Sequence, residues 1–274
     1  MDTNIFKRII PVIAFIIFLT PIITYPLLDL EQKKINEQLL AQELAEKQAE
    51  KIAQDRNYLL GKFDPSKNEN FTVIPTEYSI SGYKMYLRKE TLDAFLKMAE
   101  AAEKEQIILK IASATRNFIY QKGIWNNKWT GIMLVDGKNL NTTVPNELQK
   151  FIKILEYSAA PGTSRHHWGT DIDINDATPP YFDSEKGEKE YAWLTKNAPL
   201  FGFCQPYDLK DNNRETGYNE EKWHWSYKPL AKDFTQEYKN IIKESDISGF
   251  DGDKYISNFD LINDYVLDIN PDCL

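Results

Sequence analysis

The sequence predicts an α+β fold. Stretches of helical period alternate with short β-branched or alternating runs. No regular strand–helix–strand rhythm, of the kind a doubly wound parallel sheet requires, links them. The 274 residues suffice for one or two packed domains.

From the N-terminus, Lys7 and Arg8 precede an apolar run, Ile9 to Leu28, broken by Pro11, Thr20, Pro21, Thr24, Tyr25 and Pro26. At helical rise such a run spans about 30 Å, enough to cross a bilayer. Its denser part, Ile9 to Leu19, resembles the apolar region of a signal peptide, but no small-x-small cleavage site follows. Residues 1–28 are therefore expected to be an uncleaved membrane helix rather than a removed signal. The leading positive charges put the N-terminus in the cytoplasm and the rest outside. Residues 29–57 are rich in Glu, Lys, Gln, Ala and Leu and lack Gly and Pro, which predicts a helical stalk. Its stripe of Ile35, Leu39, Leu40, Leu44 and Ile52 is too irregular for a coiled coil.

Residues 58–274 form the expected globular domain, without internal repeats. Glu90–Gln106 reads as a helix with Leu92, Phe95, Leu96 and Ala99 on one face. Ile107–Ser113 reads as a strand. Pro145–Tyr157 reads as a helix with Leu148, Phe151, Ile152 and Leu155 inward, and Pro145 suits its first turn. Thr170–Ile174 alternates as a strand. Glu188–Asn197 and Pro229–Ile242 complete the helices.

Composition narrows the function. Hydrophobic residues are 42% and charged residues 27%, which excludes disorder over most of the chain. The 33 basic and 41 acidic residues leave a net charge of −8, so no nucleic acid partner is expected. Cys204 and Cys273 are the only thiols, which excludes a multi-cysteine zinc ribbon. In an exported protein the two can pair and tie the tail to the core. Neither lies near a histidine in sequence, which argues against a catalytic thiol.

All three histidines fall in two short segments, Ser164-Arg165-His166-His167-Trp168-Gly169-Thr170-Asp171-Ile172-Asp173 and Glu220-Glu221-Lys222-Trp223-His224-Trp225-Ser226-Tyr227. Each also carries carboxylates, and aromatic residues flank both. Two histidines and one aspartate fill three places around a catalytic zinc and leave the fourth for water. Asp171 and Asp173 share one face of a strand, so either reaches a metal held from the first segment. Spacing alone leaves open whether His166 or His167 is the ligand. Glu221, three residues before His224, is placed to take a proton from water beside the metal. The residues thus describe a metallohydrolase.

Ser164, His166, Gly169 and Asp173 match in step the S-x-H-x-x-G-x-x-x-D signature of the VanY-type D-alanyl-D-alanine carboxypeptidases, and Glu221, Trp223 and His224 match their E-x-W-H signature. Ser113-Ala114-Thr115-Arg116-Asn117-Phe118-Ile119-Tyr120-Gln121 resembles the family's S-G-Y-R-S-x-x-x-Q stretch, with Ala114-Thr115 replacing Gly-Tyr and Asn117 replacing the second Ser. The resemblance covers about residues 80–245. It implies a small antiparallel sheet flanked by helices, as in the hedgehog and D-Ala-D-Ala peptidase folds. It also implies one zinc ion per chain on His166, Asp173 and His224, with Glu221 as catalytic base. Arg116 and Gln121 then lie in the active-site cleft, with Ser113, Ser164 and Trp223 on the substrate side. His167, where the family often has Gln, is expected behind the ligands or facing the substrate. Asp171 stands where many members have a small apolar residue. An arginine fork matches a carboxylate, so Arg116 is expected to hold a free C-terminus or to stabilise the oxyanion at the scissile carbonyl.

The expected activity is a zinc D,D-carboxypeptidase on peptidoglycan stem peptides, anchored in a bacterial envelope with its catalytic domain outside the cytoplasm. An L,D-carboxypeptidase or a cell-wall endopeptidase uses the same constellation. A non-catalytic zinc-stabilised peptidoglycan-binding module is the competing class, and Glu221 argues against it, because a structural zinc needs no base. A metal-dependent amidase on another small substrate is the third. Trp168, Trp223 and Trp225 are expected in the core or the cleft wall. The tail, with Asp251, Asp253, Asp260, Asp264, Asp268 and Asp272, lacks a calcium-loop spacing and is expected to be a solvated face.

Overall fold

The computed structural model describes residues 6–80, 82–211 and 213–274, with side chains from residue 29 onward. The chain divides into two units, Met1–Ala53 and Gln54–Leu274. Helix α1 (Phe6–Leu59) includes the segment expected as a stalk. There Leu30, Ile35, Leu39, Leu40 and Leu44 are exposed, among polar pairs one turn apart such as Lys47–Glu43 at 2.7 Å. The expected membrane-crossing run, Ile9 to Leu28, falls on residues whose side chains lie outside the description. Among the described residues no helix is long and apolar enough to cross a membrane.

The second unit carries β1 (Phe71–Val73), β2 (Tyr86–Arg88), α2 (Lys89–Lys104), β3 (Ile111–Ser113), α3 (Phe118–Thr130), α4 (Leu140–Thr143), α5 (Glu147–Leu155), β4 (Asp171–Ile174), α6 (Pro179–Phe182), α7 (Glu185–Asn197), β5 (Phe203–Cys204), β6 (His224–Tyr227) and α8 (Lys228–Ile241). The fold is α+β with two small antiparallel sheets, β1-β2 and β3-β4-β6-β5.

Helix α2 buries Leu92, Phe95, Met98, Ala99 and Ala102, and each large apolar side chain removed from water stabilises the fold by about 2 kcal/mol. They pack with Ile111, Ile172, Ile174, Leu194 and Trp225 in one core cluster. A second cluster gathers Trp125, Phe151, Ile154, Trp168 and Tyr238 with residues of the tail. In α5, Phe151, Ile154 and Leu155 face inward and Ile152 faces out, so the buried face is turned slightly from the one expected. Of the strand expected over 107–113, only Ile111–Ser113 is strand.

Helix α3 is not legible in the polar pattern of its sequence. Asn117 starts it by accepting a hydrogen bond from the Tyr120 N–H, and Gly131 ends it with φ +81°. The acidic tail also departs from expectation. Its aspartates are exposed or half-buried, but Phe250, Ile256, Leu261, Val266 and Ile269 are buried. A Cys204–Cys273 disulfide closes a separation of 69 residues and ties this tail to β5.

The four-stranded sheet sets the geometry that matters for function. Asp173 on β4 lies opposite His224 on β6 and opposite Ser113 on β3, so the three residues form a row across adjacent strands. Asp171 lies opposite Ser226 two residues along. Because side chains alternate across a sheet, Asp171 and Asp173 share one face while Ile172 and Ile174 enter the apolar core. Just before β4, Arg165–Trp168 form a 3-10 turn that ends at Gly169, with φ +76°. A Cβ at Gly169 would lie 2.3 Å from Phe71, so only glycine fits the turn that carries His166.

Candidate metal centre

His166, Asp173 and His224 come together as a buried group whose ligand atoms all lie within 4.8 Å of one another, and they could hold a metal ion. His166 Nδ1 donates to the Ala114 carbonyl at 2.8 Å. That bond fixes the tautomer and leaves the Nε2 lone pair free for a cation. His166 Nε2 and Asp173 Oδ1 lie 3.3 Å apart, yet neither has a hydrogen-bond partner among the described residues. Buried polar atoms left without partners cost about 1–3 kcal/mol each. A divalent cation supplies what both lack, since zinc takes imidazole nitrogen and carboxylate oxygen. The donor set therefore fits zinc.

His224 is held from both ring nitrogens. Nε2 is 2.9 Å from Asp171 Oδ2. Nδ1 is 3.0 Å from Glu221 Oε2 and 3.7 Å from Asp173 Oδ1. Asp171 is not among the three residues whose donor atoms converge. It orients His224 from behind, leaving Nδ1 toward Asp173. Asp171 is itself saturated: Arg165 Nε donates to Oδ2 at 3.1 Å, and the Thr170 and Ser226 hydroxyls donate to Oδ1 at 2.7 and 2.9 Å. Arg165, fully buried, completes its fork with Thr235 Oγ1 and Ser226 Oγ and stacks over Trp168.

The electrostatics follow from these contacts. Burial opposes the charge on Asp171, but Arg165 and His224 more than offset it and hold the carboxyl well below its usual range. Burial likewise opposes Asp173, and His166 with Arg116 outweighs it. His166 is lowered by burial and then by Arg116, which favours the neutral ring that metal binding requires. For His224, burial is overcome by Asp171, Glu221 and Asp173, and without a cation its value rises to about 9; a metal held by the group would displace that proton. Glu221 is raised, chiefly by burial.

Arg116 reaches this centre from the loop between β3 and α3. Its guanidinium donates to Ser113 Oγ at 3.0 Å and to Asp173 Oδ2 at 3.3 Å, and its backbone N–H donates to the His166 carbonyl. Glu221, Arg116, Gln121, Asp173 and Trp223 line one cleft of about 110 Å3. Gln121 is buried, and its Nε2 donates to the Ala159 carbonyl. Ser113 lines a neighbouring groove of about 480 Å3 that shares Arg116. Ser164 is buried at the start of the 3-10 turn, and Trp223 is buried against Phe182 and Tyr157. His167, also buried, accepts from the Gly162 N–H through Nε2 and donates through Nδ1 to the Arg116 carbonyl. Both nitrogens are spent on backbone groups, so of the two places expected for it, His167 takes the one behind the ligands.

Sequence reasoning missed the part played by Arg165. It also missed Lys128, Tyr157 and Ser158, which line the cleft. Asp171 carried a usable signal: a second carboxylate on the same strand face as Asp173. Lys128 carried none, because nothing local distinguishes it from a surface lysine.

Relatives bear on these residues as a set. YodJ of Bacillus subtilis (strain 168), provisionally named a carboxypeptidase, is 30% identical over 202 residues, spanning 71% of this chain and 63% of YodJ. This chain thus matches less than two thirds of that relative's length. Among solved structures, that of the LdcB LD-carboxypeptidase is 25% identical with a TM-score of 0.45, covering 67% of this chain and 81% of that one. A vancomycin-resistance VanY D,D-pentapeptidase in complex with Zn(II) is 23% identical with a TM-score of 0.44, covering 65% and 94%. The VanY family model, described as D-alanyl-D-alanine carboxypeptidase, matches residues 84–230. That stretch is more than half of the chain and contains His166, Asp173, Glu221, His224 and Arg116, and the protein belongs to the VanY-type D-alanyl-D-alanine carboxypeptidase family.

Proposed function

We propose that this protein is a zinc-dependent D,D-carboxypeptidase that removes the terminal D-alanine from peptidoglycan stem peptides. The observation that carries the reading is the buried cluster of His166, Asp173 and His224, with Glu221 beside it at the wall of a cleft.

His166, Asp173 and His224 would hold the ion. Bound there, zinc supplies a Lewis acid that polarises the scissile carbonyl and acidifies water. Glu221 takes a proton from the attacking water and passes it to the leaving amine of D-alanine. Its raised pKa, the result of burial, moves it toward the range where one group serves as both base and acid. Arg116, fixed by Ser113 and Asp173, donates to the oxygen that gains charge as the carbonyl carbon becomes tetrahedral. Asp171 keeps the His224 ring oriented and is itself locked by Arg165. The Trp223 wall limits water around the reacting groups.

We place the catalytic domain outside the cytoplasm of a bacterial cell, with residues 1–28 as its membrane anchor. The apolar run behind Lys7 and Arg8 supports this, and so does a disulfide, which persists in oxidising compartments. The family includes more than one specificity, and digestion of purified muropeptides with residues 54–274, read by mass spectrometry, separates them. Loss of D-alanine from pentapeptides supports the D,D reading. Loss from tetrapeptides alone replaces it with L,D specificity, and cleavage of cross-links alone replaces it with an endopeptidase.

A further inference from the structure

The cleft holds a second cation that the chemistry above does not use. Lys128, near the end of α3, lines the same wall as Arg116, Gln121 and Glu221. Its ammonium donates to the Ser158 hydroxyl, and no ion pair of Lys128 is found among the described residues. The two cations are placed differently. Arg116 is bonded to the carboxylate of Asp173, which keeps it at the reacting carbonyl. Lys128 is anchored to a neutral hydroxyl and retains donors for an anion.

Burial lowers the Lys128 pKa, and the nearby Arg116 charge lowers it further, more than Glu221 and Asp136 raise it. Burial is the larger cause, so an anion brought by a substrate would favour the charged ammonium. The cleft is also small, about 110 Å3, against the several hundred Å3 typical of sites that enclose a larger ligand. That space suits one short terminal residue, whose carboxylate lies three bonds beyond the scissile carbonyl carbon.

We infer that Lys128, with Ser158, is the seat of the substrate's free terminal carboxylate and makes the cleft selective for chain ends. This rests on the proposed peptidase function and deepens it: Arg116 attends the oxyanion, and Lys128 reads the C-terminus.

The test compares a stem pentapeptide ending in D-alanine with its C-terminal carboxamide, on the wild type, K128M and K128R. A charge-assisted contact of this kind is worth about 10- to 100-fold. The wild type prefers the acid by that factor in kcat/KM. K128M loses the preference by slowing far more on the acid than on the amide, and K128R restores part of it. An equal fall on both substrates means Lys128 only supports the fold and overturns the inference, as does an undiminished preference in K128M. Binding of the same two peptides to E221A, alone and combined with K128M, is measured by calorimetry. If the wild type cleaves neither peptide but binding still prefers the acid through Lys128, the peptidase reading fails and the carboxylate seat stands. If neither peptide binds, both fail.

Discussion

Replacing Cys204 and Cys273 together by alanine opens the one covalent tie between the tail and the sheet. The bridge spans 69 residues, and in the chain-entropy account closing such a loop stabilises the folded state by about 4 kcal/mol. The bridge is well placed to act on the whole unit, since Cys273 is fully buried and the tail supplies Leu261, Val266 and Ile269 to the core. For a unit the size of Gln54–Leu274, each kcal/mol moves the melting temperature by about 2–4 °C, so a fall of about 10 °C is expected. The assay is a thermal scan by circular dichroism of the oxidised wild type, the wild type under reductant and the double variant. Reductant should bring the wild type down to the double variant and leave the double variant unmoved. A double variant melting within about 2 °C of the oxidised wild type would contradict this estimate, because it leaves less than about 1 kcal/mol for a closure expected to give about 4.

Gly169→Ala combines a positive φ with a Cβ only 2.3 Å from Phe71. It should destabilise by more than about 2 kcal/mol, read in urea, and reduce metal retention because the turn carries His166. Asp171→Asn removes a charge that orients His224 without removing a ligand. Zinc affinity should fall about 10- to 100-fold by competition with a chelator, whereas Asp173→Asn should abolish tight binding. If the two variants behave in reverse, Asp171 is the ligand. Glu221→Ala should keep its zinc and lose about 10²–10⁴-fold in turnover.

Much of the site was legible because its residues sit on short, stereotyped segments. Asp173 and His224 are recognisable by their neighbours in sequence, and strand pairing brings them opposite each other. The distinction between Asp171 and Asp173 was beyond spacing, since both point to one face. It emerges from Arg165, whose buried guanidinium claims Asp171. Helices such as α2 announced themselves by period, whereas α3 did not. Its sequence, FIYQKGIWNNKWT, mixes exposed Ile119 and Tyr120 with buried Trp125, and caps rather than apolar period define it. The tail misled for the opposite reason: aspartates dominate its composition, while widely spaced apolar residues, set by tertiary packing, do the burying.

The donor atoms of His166, Asp173 and His224 converge on a place fit for one divalent cation. Metal analysis of the purified domain, chelated and then reloaded with zinc, tests it most directly. The account predicts one zinc per chain, retained in Glu221→Ala and lost in His166→Ala and in His224→Ala while both variants keep the wild-type circular dichroism. Full zinc occupancy in either folded histidine variant would contradict it.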